Sequence, residues 1–165
     1  MPKTYKAVIP ALVIIILAAA TYNYFAFADE RKVRRTLLDL REKVSEPMAG
    51  GLTAVLAAAT LKPLFAPNIN ISFQYGGGEL RHVFERDELL RVVIGIKQRS
   101  PELTVKLDFS RRNIKITESR SATVSALASV ENLGERFEPR RLMFTFEKNE
   151  DARWQLAAVG EGGAN

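Results

Sequence analysis

The longest hydrophobic pattern in the chain is an apolar run over residues 7–28 that contains no charged side chain. As a helix rising about 1.5 Å per residue, the run would be roughly 33 Å long and would cross the roughly 30 Å hydrocarbon core of a bilayer. Lys3 and Lys6 precede it, and short basic flanks stay on the cytoplasmic side. Residues 1–28 therefore predict a single-pass transmembrane helix of a bacterial inner membrane, with the N-terminus cytoplasmic and the remaining chain periplasmic.

The sequence leaves two interpretations of this run open. An uncleaved signal anchor is favoured by the aromatic residues within 22–25, which suit a helix end at the membrane interface, and by the charged helical stretch that follows directly. A signal peptide cleaved after Ala28 is the alternative, because residues 26–28 form an A-x-A site before Asp29. Both interpretations place the chain from Asp29 onwards outside the cytoplasm.

Three later segments show the helical period, in which apolar residues recur every three or four positions. They predict helices over residues 29–46, 48–61 and 85–99, the first of which has acidic residues in its first turn and Pro47 at its end. The positions expected to face the core are Val33, Leu37, Leu40 and Val44, then Leu52, Val55, Leu56 and Leu61, then Leu89, Leu90, Val93 and Ile96. The other faces of the first helix are charged and solvated. If the anchor is retained, its basic residues become a candidate contact with the membrane surface; they are Arg31, Lys32, Arg34 and Arg35.

Alternation of apolar and polar residues predicts strands over residues 68–75, 80–84, 103–109, 121–130, 140–147 and 153–159. The alternation changes phase across residues 111–113, since odd positions are apolar before them and even positions, Ile114 and Ile116, after them. Such a change indicates either a tight hairpin or a bulge in one long bent strand.

Composition narrows the possible functions. The chain of 165 residues has no cysteine, which excludes a disulfide framework and thiol chemistry. Its net charge of +5 is mild, and no clustered basic face with interleaved aromatic residues predicts nucleic-acid binding. The part that follows the apolar run has the length of one ordinary domain.

The order of elements is helix, helix, hairpin, helix and then long strands, the last of which begins with Trp154 after a charged turn. This order resembles the nuclear transport factor 2-like superfamily, including its SnoaL-like branch, and the segments FERDELLRVV, SATVSALASV and RLMFTFEKNEDARWQL are similar to it locally. The resemblance covers residues 29–160 and leaves residues 161–165 as a flexible tail. It implies an α+β fold in which a curved antiparallel sheet wraps round three helices, a cystatin-like cone with a pocket, here preceded by one transmembrane helix.

Enzymes of this superfamily keep carboxylates, His or Tyr inside the cone as proton-transfer groups, and the candidates here are Tyr75, His82 and Asp108. The alternation places Asp108 on the solvent side, whereas a lone histidine or tyrosine is usually a structural residue. No pair of groups has the spacing for acid–base catalysis or metal binding, so we predict no catalytic residue, metal or cofactor. The candidate ligand pocket is mainly apolar and consists of Ile71, Phe73, Tyr75, His82, Phe144, Phe146 and Trp154.

These observations favour a non-enzymatic, membrane-anchored periplasmic domain that binds a partner protein as an accessory subunit of an envelope complex. The exposed side chains of the strands over residues 121–130 and 140–147 suit a homodimer through the sheet. One alternative is a periplasmic cone that binds a small molecule or lipid. The other, which the residues favour least, is a SnoaL-type isomerase or dehydratase.

Overall fold

A computed structural model describes residues 27–47, 51–75 and 78–162. Residues 7–26, which form nearly all of the predicted membrane segment, lie outside these ranges, and so do residues 163–165 of the predicted tail. Within the described ranges, no helix is both long enough and apolar enough to cross a membrane. The transmembrane helix and the fate of the bond after Ala28 therefore stay predictions.

Within the described ranges, three α-helices and two 3₁₀ turns pack against one sheet. The α-helices are α1 (Ala28–Ser45), α2 (Leu52–Leu61) and α3 (Arg86–Arg99). The predicted stripe of α1 is confirmed for Val33, Leu37 and Leu40, which are buried, and Val44 is half-buried against the same core. Helix α1 begins at Ala28. The residue before it, Phe27, has backbone angles (φ −107°, ψ 13°) that depart from helical values.

Eight strands form a single mixed sheet in the order β2-β1-β8-β7-β5-β3, with β4 and β6 also paired to β5. The strands are β1 (Phe65–Tyr75), β2 (Gly78–Glu85), β3 (Thr104–Asp108), β4 (Ile114–Thr117), β5 (Ser121–Asn132), β6 (Glu135–Arg136), β7 (Arg140–Lys148) and β8 (Trp154–Glu161). The α+β fold with a curved sheet around helices is confirmed. One pair, β1 with β8, is parallel, so the sheet is not wholly antiparallel as predicted.

The phase change near residue 112 marks one bent strand. A 3₁₀ turn over Arg111–Asn113 separates β3 from β4, and both strands pair with the same partner, β5. The Ser110 backbone N–H donates a hydrogen bond to Asn113 Oδ1 (2.8 Å), which fixes the turn. Of the two alternatives that the sequence left open, the bulge in a bent strand is confirmed and the hairpin is wrong.

The core lies between the inner face of the sheet and the buried sides of the helices. On β5, alternate residues point inward, and Ala122, Val124 and Ala126 are buried as the pattern predicts. The other buried apolar residues of this cluster are Val33, Leu37, Leu40, Leu61, Phe65, Ile69, Leu89, Leu90, Ile114, Phe144, Phe146, Trp154 and Leu156.

The predicted burial of α2 is wrong for most of its large residues. Leu52, Val55 and Leu56 are 75%, 65% and 57% exposed, whereas Ala54 and Leu61 are buried. The sequence of α2, LTAVLAAATL, has no charged face that would identify the solvent side. Helix α2 instead packs on the domain through Ala54 and through Leu61 at its C-terminal end.

The predicted burial of Ile96 on α3 is also wrong, since this residue is 49% exposed. Its neighbour Lys97 is only 1% exposed and takes the inward position. Lys97 follows Val93 by four residues and Leu90 by seven, so it lies on the same face of the helix as these two residues.

Candidate functional site

An apolar cavity in the described part of the chain lies between α1 and the inner face of the sheet. It has a volume of about 210 Å³ and an almost entirely apolar wall. The residues that line it are Leu37, Leu40, Arg41, Val44, Phe65, Val105, Leu107, Ala128, Val130, Leu142, Phe144 and Leu156. One of these side chains is charged, that of Arg41.

Arg41 reaches the cavity because of its position on α1. It follows Leu37 by four residues and precedes Val44 by three, so all three side chains lie on one helix face. Arg41 is half-buried, and no hydrogen bond or ion pair engages its guanidinium among the described residues. The charged residues of α1 are predicted on its solvated faces, so the inward position of Arg41 departs from that prediction, although its spacing from the apolar stripe indicates the inner face.

The residues of the predicted ligand pocket are not brought together at this cavity. Phe144 lines it, whereas Phe146 and Trp154 are buried in the core and Ile71 and Phe73 are half-buried on β1. Tyr75 is the last residue of β1, and its side chain lies outside the described structure. The residues that sequence analysis missed come mainly from α1 and β3, two elements that it treated as helix and sheet packing.

His82 and Asp108 lie on opposite edges of the sheet. His82 is on β2, with its side chain 53% exposed, its Nε2 4.0 Å from a Glu88 carboxylate oxygen and its ring packed against Phe84. Asp108 is exposed on β3. Four strands lie between β2 and β3, which corresponds to roughly 24 Å at about 4.8 Å per strand. The two groups therefore do not converge on one substrate.

Metal chemistry has no support in the described ranges, where no group of three or more His, Asp or Glu side chains is placed to hold an ion.

Lys97 is a buried cation that joins the ends of three elements. Its Nζ donates hydrogen bonds to the backbone oxygens of Leu103 (2.7 Å), Pro101 (3.2 Å) and Ser45 (3.4 Å). Burial lowers the pKa of the Lys97 ammonium below its ordinary value. The Val105 backbone N–H also donates to Ser45 Oγ (3.0 Å), so the end of α1, the end of α3 and the start of β3 are held at one point.

The first turn of α1 is tied to the sheet by a set of contacts that we call the N-terminal cluster. Its members are Phe27, Asp29, Glu30, Arg111, Lys148 and Trp154. Asp29 accepts hydrogen bonds from Lys148 Nζ (2.9 Å) and from Trp154 Nε1 (3.4 Å). Arg111 Nε donates to Glu30 (2.8 Å), and its guanidinium lies 3.7 Å from the centre of the Phe27 ring. The point at which residues 1–26 join the domain is thereby fixed to the sheet.

Two exposed surfaces lie at different ends of α1. The basic residues Arg31, Lys32, Arg34 and Arg35 are exposed near its start. The second surface, which we call the α2 apolar face, consists of Leu52, Val55 and Leu56 and lies beside its end. A shallow pocket lined by Lys43 and Glu46 of α1 and by Leu56 of α2 establishes this proximity.

Comparisons with known proteins identify the fold. No family model and no curated protein matches the sequence. Among solved structures, a nuclear transport factor 2-like protein of unknown function from Pseudomonas aeruginosa has a TM-score of 0.55 and 13% identity, over 84% of this chain and 99% of that chain. A dehydratase candidate of the same family from Streptomyces avermitilis has a TM-score of 0.56 and 16% identity, over 83% and 98%.

A protein with a cystatin-like fold from Nostoc punctiforme has a TM-score of 0.55 and 12% identity, over 81% of this chain and 90% of that chain. At such identities these likenesses concern the fold alone. They confirm the nuclear transport factor 2-like, or cystatin-like, architecture that the sequence resemblance implied.

Proposed function

We propose that this chain is a non-enzymatic interaction domain, held at the bacterial inner membrane by its N-terminal segment, that serves in the periplasm as an accessory subunit of an envelope complex. The observation that carries the proposal is the α2 apolar face. Helix α2 has no charged residue, yet its three largest outward side chains are more than half exposed. A helix that is apolar on all sides is normally buried, so this one has the composition of a helix with a partner.

The energy available at this face is large for three residues. Complete burial of a valine or leucine side chain contributes about 1.5–3 kcal/mol. The three side chains together therefore offer several kcal/mol to a partner that covers them. Interface centres commonly consist of such a small group of well-buried side chains.

The position of the α2 apolar face favours a protein partner over the bilayer. Helix α1 has 18 residues, and at about 1.5 Å per residue it separates its two ends by roughly 27 Å. The N-terminal cluster is at one end and the α2 apolar face is beside the other. A domain anchored through residue 27 would present this face away from its anchor, where a second envelope protein has access.

The isomerase or dehydratase alternative gains no support from the geometry. It requires at least two polar groups that converge in a cavity, and its candidates, His82 and Asp108, lie on opposite sheet edges. The homodimer through the sheet stays a prediction. Leu127 and Met143 are exposed on the outer face of β5 and β7, where such a contact would form.

The test is site-specific photo-crosslinking of the full-length chain in its native bacterium, with the reactive amino acid at Val55. The matched control is the same amino acid at Lys115, an exposed position on β4. We expect one discrete protein adduct from Val55 and none from Lys115, in the membrane fraction, with the mature chain starting at Met1. Equal labelling from both positions, or an adduct of two copies of the chain, would contradict the proposal that a second protein binds the α2 apolar face. A mature N-terminus at Asp29 would contradict the anchor.

A further inference from the structure

We propose that the cavity beneath α1 binds a single-chain amphiphile with an anionic head, such as a medium-chain carboxylate, with the chain inside the cavity and the head on Arg41. This inference is independent of the proposed function, because it concerns the inner face of the sheet and not the α2 apolar face. It rests on three observations: the apolar wall of the cavity, the half-buried Arg41 without an ion pair among the described residues, and the cavity volume.

The wall of the cavity fits an alkyl chain. Eleven of the twelve residues that line it are apolar, and they come from α1, β1, β3, β5, β7 and β8. An apolar cavity has no partners for the hydrogen bonds of water, so it favours an apolar occupant. Six lining residues are half-buried and mark the side that opens to solvent: Arg41, Val44, Val105, Leu107, Val130 and Leu142.

Arg41 indicates that the head group of the ligand is anionic. A charged side chain that is partly removed from water loses hydration, and proteins normally compensate this loss with a carboxylate or with carbonyl groups. Arg41 has neither among the described residues, although it lies at the solvent side of the cavity. The planar guanidinium matches the two oxygens of a carboxylate, which would complete its hydrogen bonds.

The cavity volume is sufficient for one alkyl chain of the ligand. At roughly 30 Å³ per group, the share of liquid volume that one water molecule occupies, a cavity of about 210 Å³ holds about seven methylene-sized groups. A carboxylate of eight to ten carbons would place its tail inside and its head at Arg41. The two acyl chains of a phospholipid would exceed this space.

The experiment is photolabelling of the purified full-length chain in phosphatidylcholine nanodiscs. The probe is decanoic acid with a diazirine near the end of its tail, used below saturation, and the matched probe is the corresponding alcohol. Labelled positions are located by mass spectrometry of peptides. We expect the acid to label residues 105–107, 128–130 or 142–144, and the alcohol to label them at least roughly tenfold less, since hydrogen bonds to a charged group are lost.

Three variants test separately how the head group and the alkyl tail of the ligand contribute to labelling. Arg41→Gln should reduce labelling by the acid to the level of the alcohol, whereas Arg112→Gln, which removes one exposed charge from the 3₁₀ turn, should leave it unchanged. Val130→Phe, at the solvent side of the cavity, should abolish labelling by both probes. A thermal melt of each variant establishes that it is folded.

The proposal is overturned if acid and alcohol label the cavity equally, if Arg41→Gln retains full labelling, or if the labels lie outside the cavity peptides. A diazirine-tailed phosphatidylglycerol is tested in parallel. Labelling of the cavity by this phospholipid but not by the free acid would also overturn the proposal, since it would identify a bilayer lipid as the ligand.

Discussion

Replacement of Lys97 by methionine tests whether a buried ammonium holds three elements of the domain together. Methionine keeps an unbranched side chain of similar reach and removes the three N–H donors. The backbone oxygens of Leu103, Pro101 and Ser45, which lie 2.7, 3.2 and 3.4 Å from Nζ, then lose this donor.

Two opposing terms set the size of the effect. A hydrogen bond to a charged group contributes about 1.5–3 kcal/mol, and the bonds to Leu103 and Pro101 have good lengths while the bond to Ser45 is weak. Burial of the ammonium costs part of this gain, and the same burial lowers the pKa of Lys97. We expect the hydrogen bonds to prevail and the free energy of unfolding to fall by about 2 kcal/mol in Lys97→Met, with Tm lower by roughly 5–10 °C.

The assay is thermal and urea unfolding of the full chain, followed by circular dichroism, with Lys115→Met as the exposed control that should change stability by less than about 0.5 kcal/mol. The pH dependence gives a second readout. Because the folded pKa of Lys97 lies below 10.5, the unfolded chain binds more protons between the folded pKa and 10.5. The cost of the buried charge is fully present below that window and is relieved as pH rises through it, so the advantage of wild type over Lys97→Met should grow. An unchanged or higher Tm in Lys97→Met would refute the reasoning.

Three further predictions follow from the described contacts. Asp29→Ala removes the acceptor of Lys148 and Trp154 and should lower the free energy of unfolding by about 1–2 kcal/mol, measured by tryptophan fluorescence; a change below 0.5 kcal/mol would contradict a stabilising cluster. Leu52→Lys should leave the unfolding midpoint unchanged and abolish the adduct that the reactive amino acid at position 55 forms with the partner, whereas a large loss of stability would indicate that α2 is buried. The hydrogen bonds from the Gln74 backbone N–H and from Arg140 hold the pKa of the Glu161 carboxyl below its usual value. The stability that this carboxylate contributes is present above its pKa in the unfolded chain and is lost as pH falls through its pKa in the folded chain. Glu161→Gln should therefore reduce the acid sensitivity of unfolding.

Sequence patterns were informative where one side of an element is clearly polar. The charged residues of α1 left a single apolar stripe, and the alternation of Ala and Val with Ser and Thr identified the inner side of β5. The phase change near residue 112 likewise located the bend between β3 and β4. Helix α2 has no polar side, so periodicity could not determine its orientation.

The candidate site was harder to predict because it depends on tertiary proximity. Hydrophobicity rules place a lysine outward, yet Lys97 is turned inward by carbonyl groups from the end of α1 and from the loop between α3 and β3, and no local pattern encodes their convergence. Arg41 was within reach of prediction, since its spacing from Leu37 and Val44 places it on the buried stripe. What the sequence could not supply was the distance between α1 and the sheet, which leaves the cavity open.

The position of β8 within the sheet has a consequence for how the domain is made. Strand β8, which follows the other described strands in the chain, lies between β1 and β7, so it joins the early hairpin β1–β2 to the later group of β3, β5 and β7. Until β8 arrives, both β1 and β7 present unpaired edges, which are prone to pair with other chains. A chain whose synthesis stops before Trp154 therefore consists of two unjoined half-sheets, and a chaperone or protease would bind at these edges.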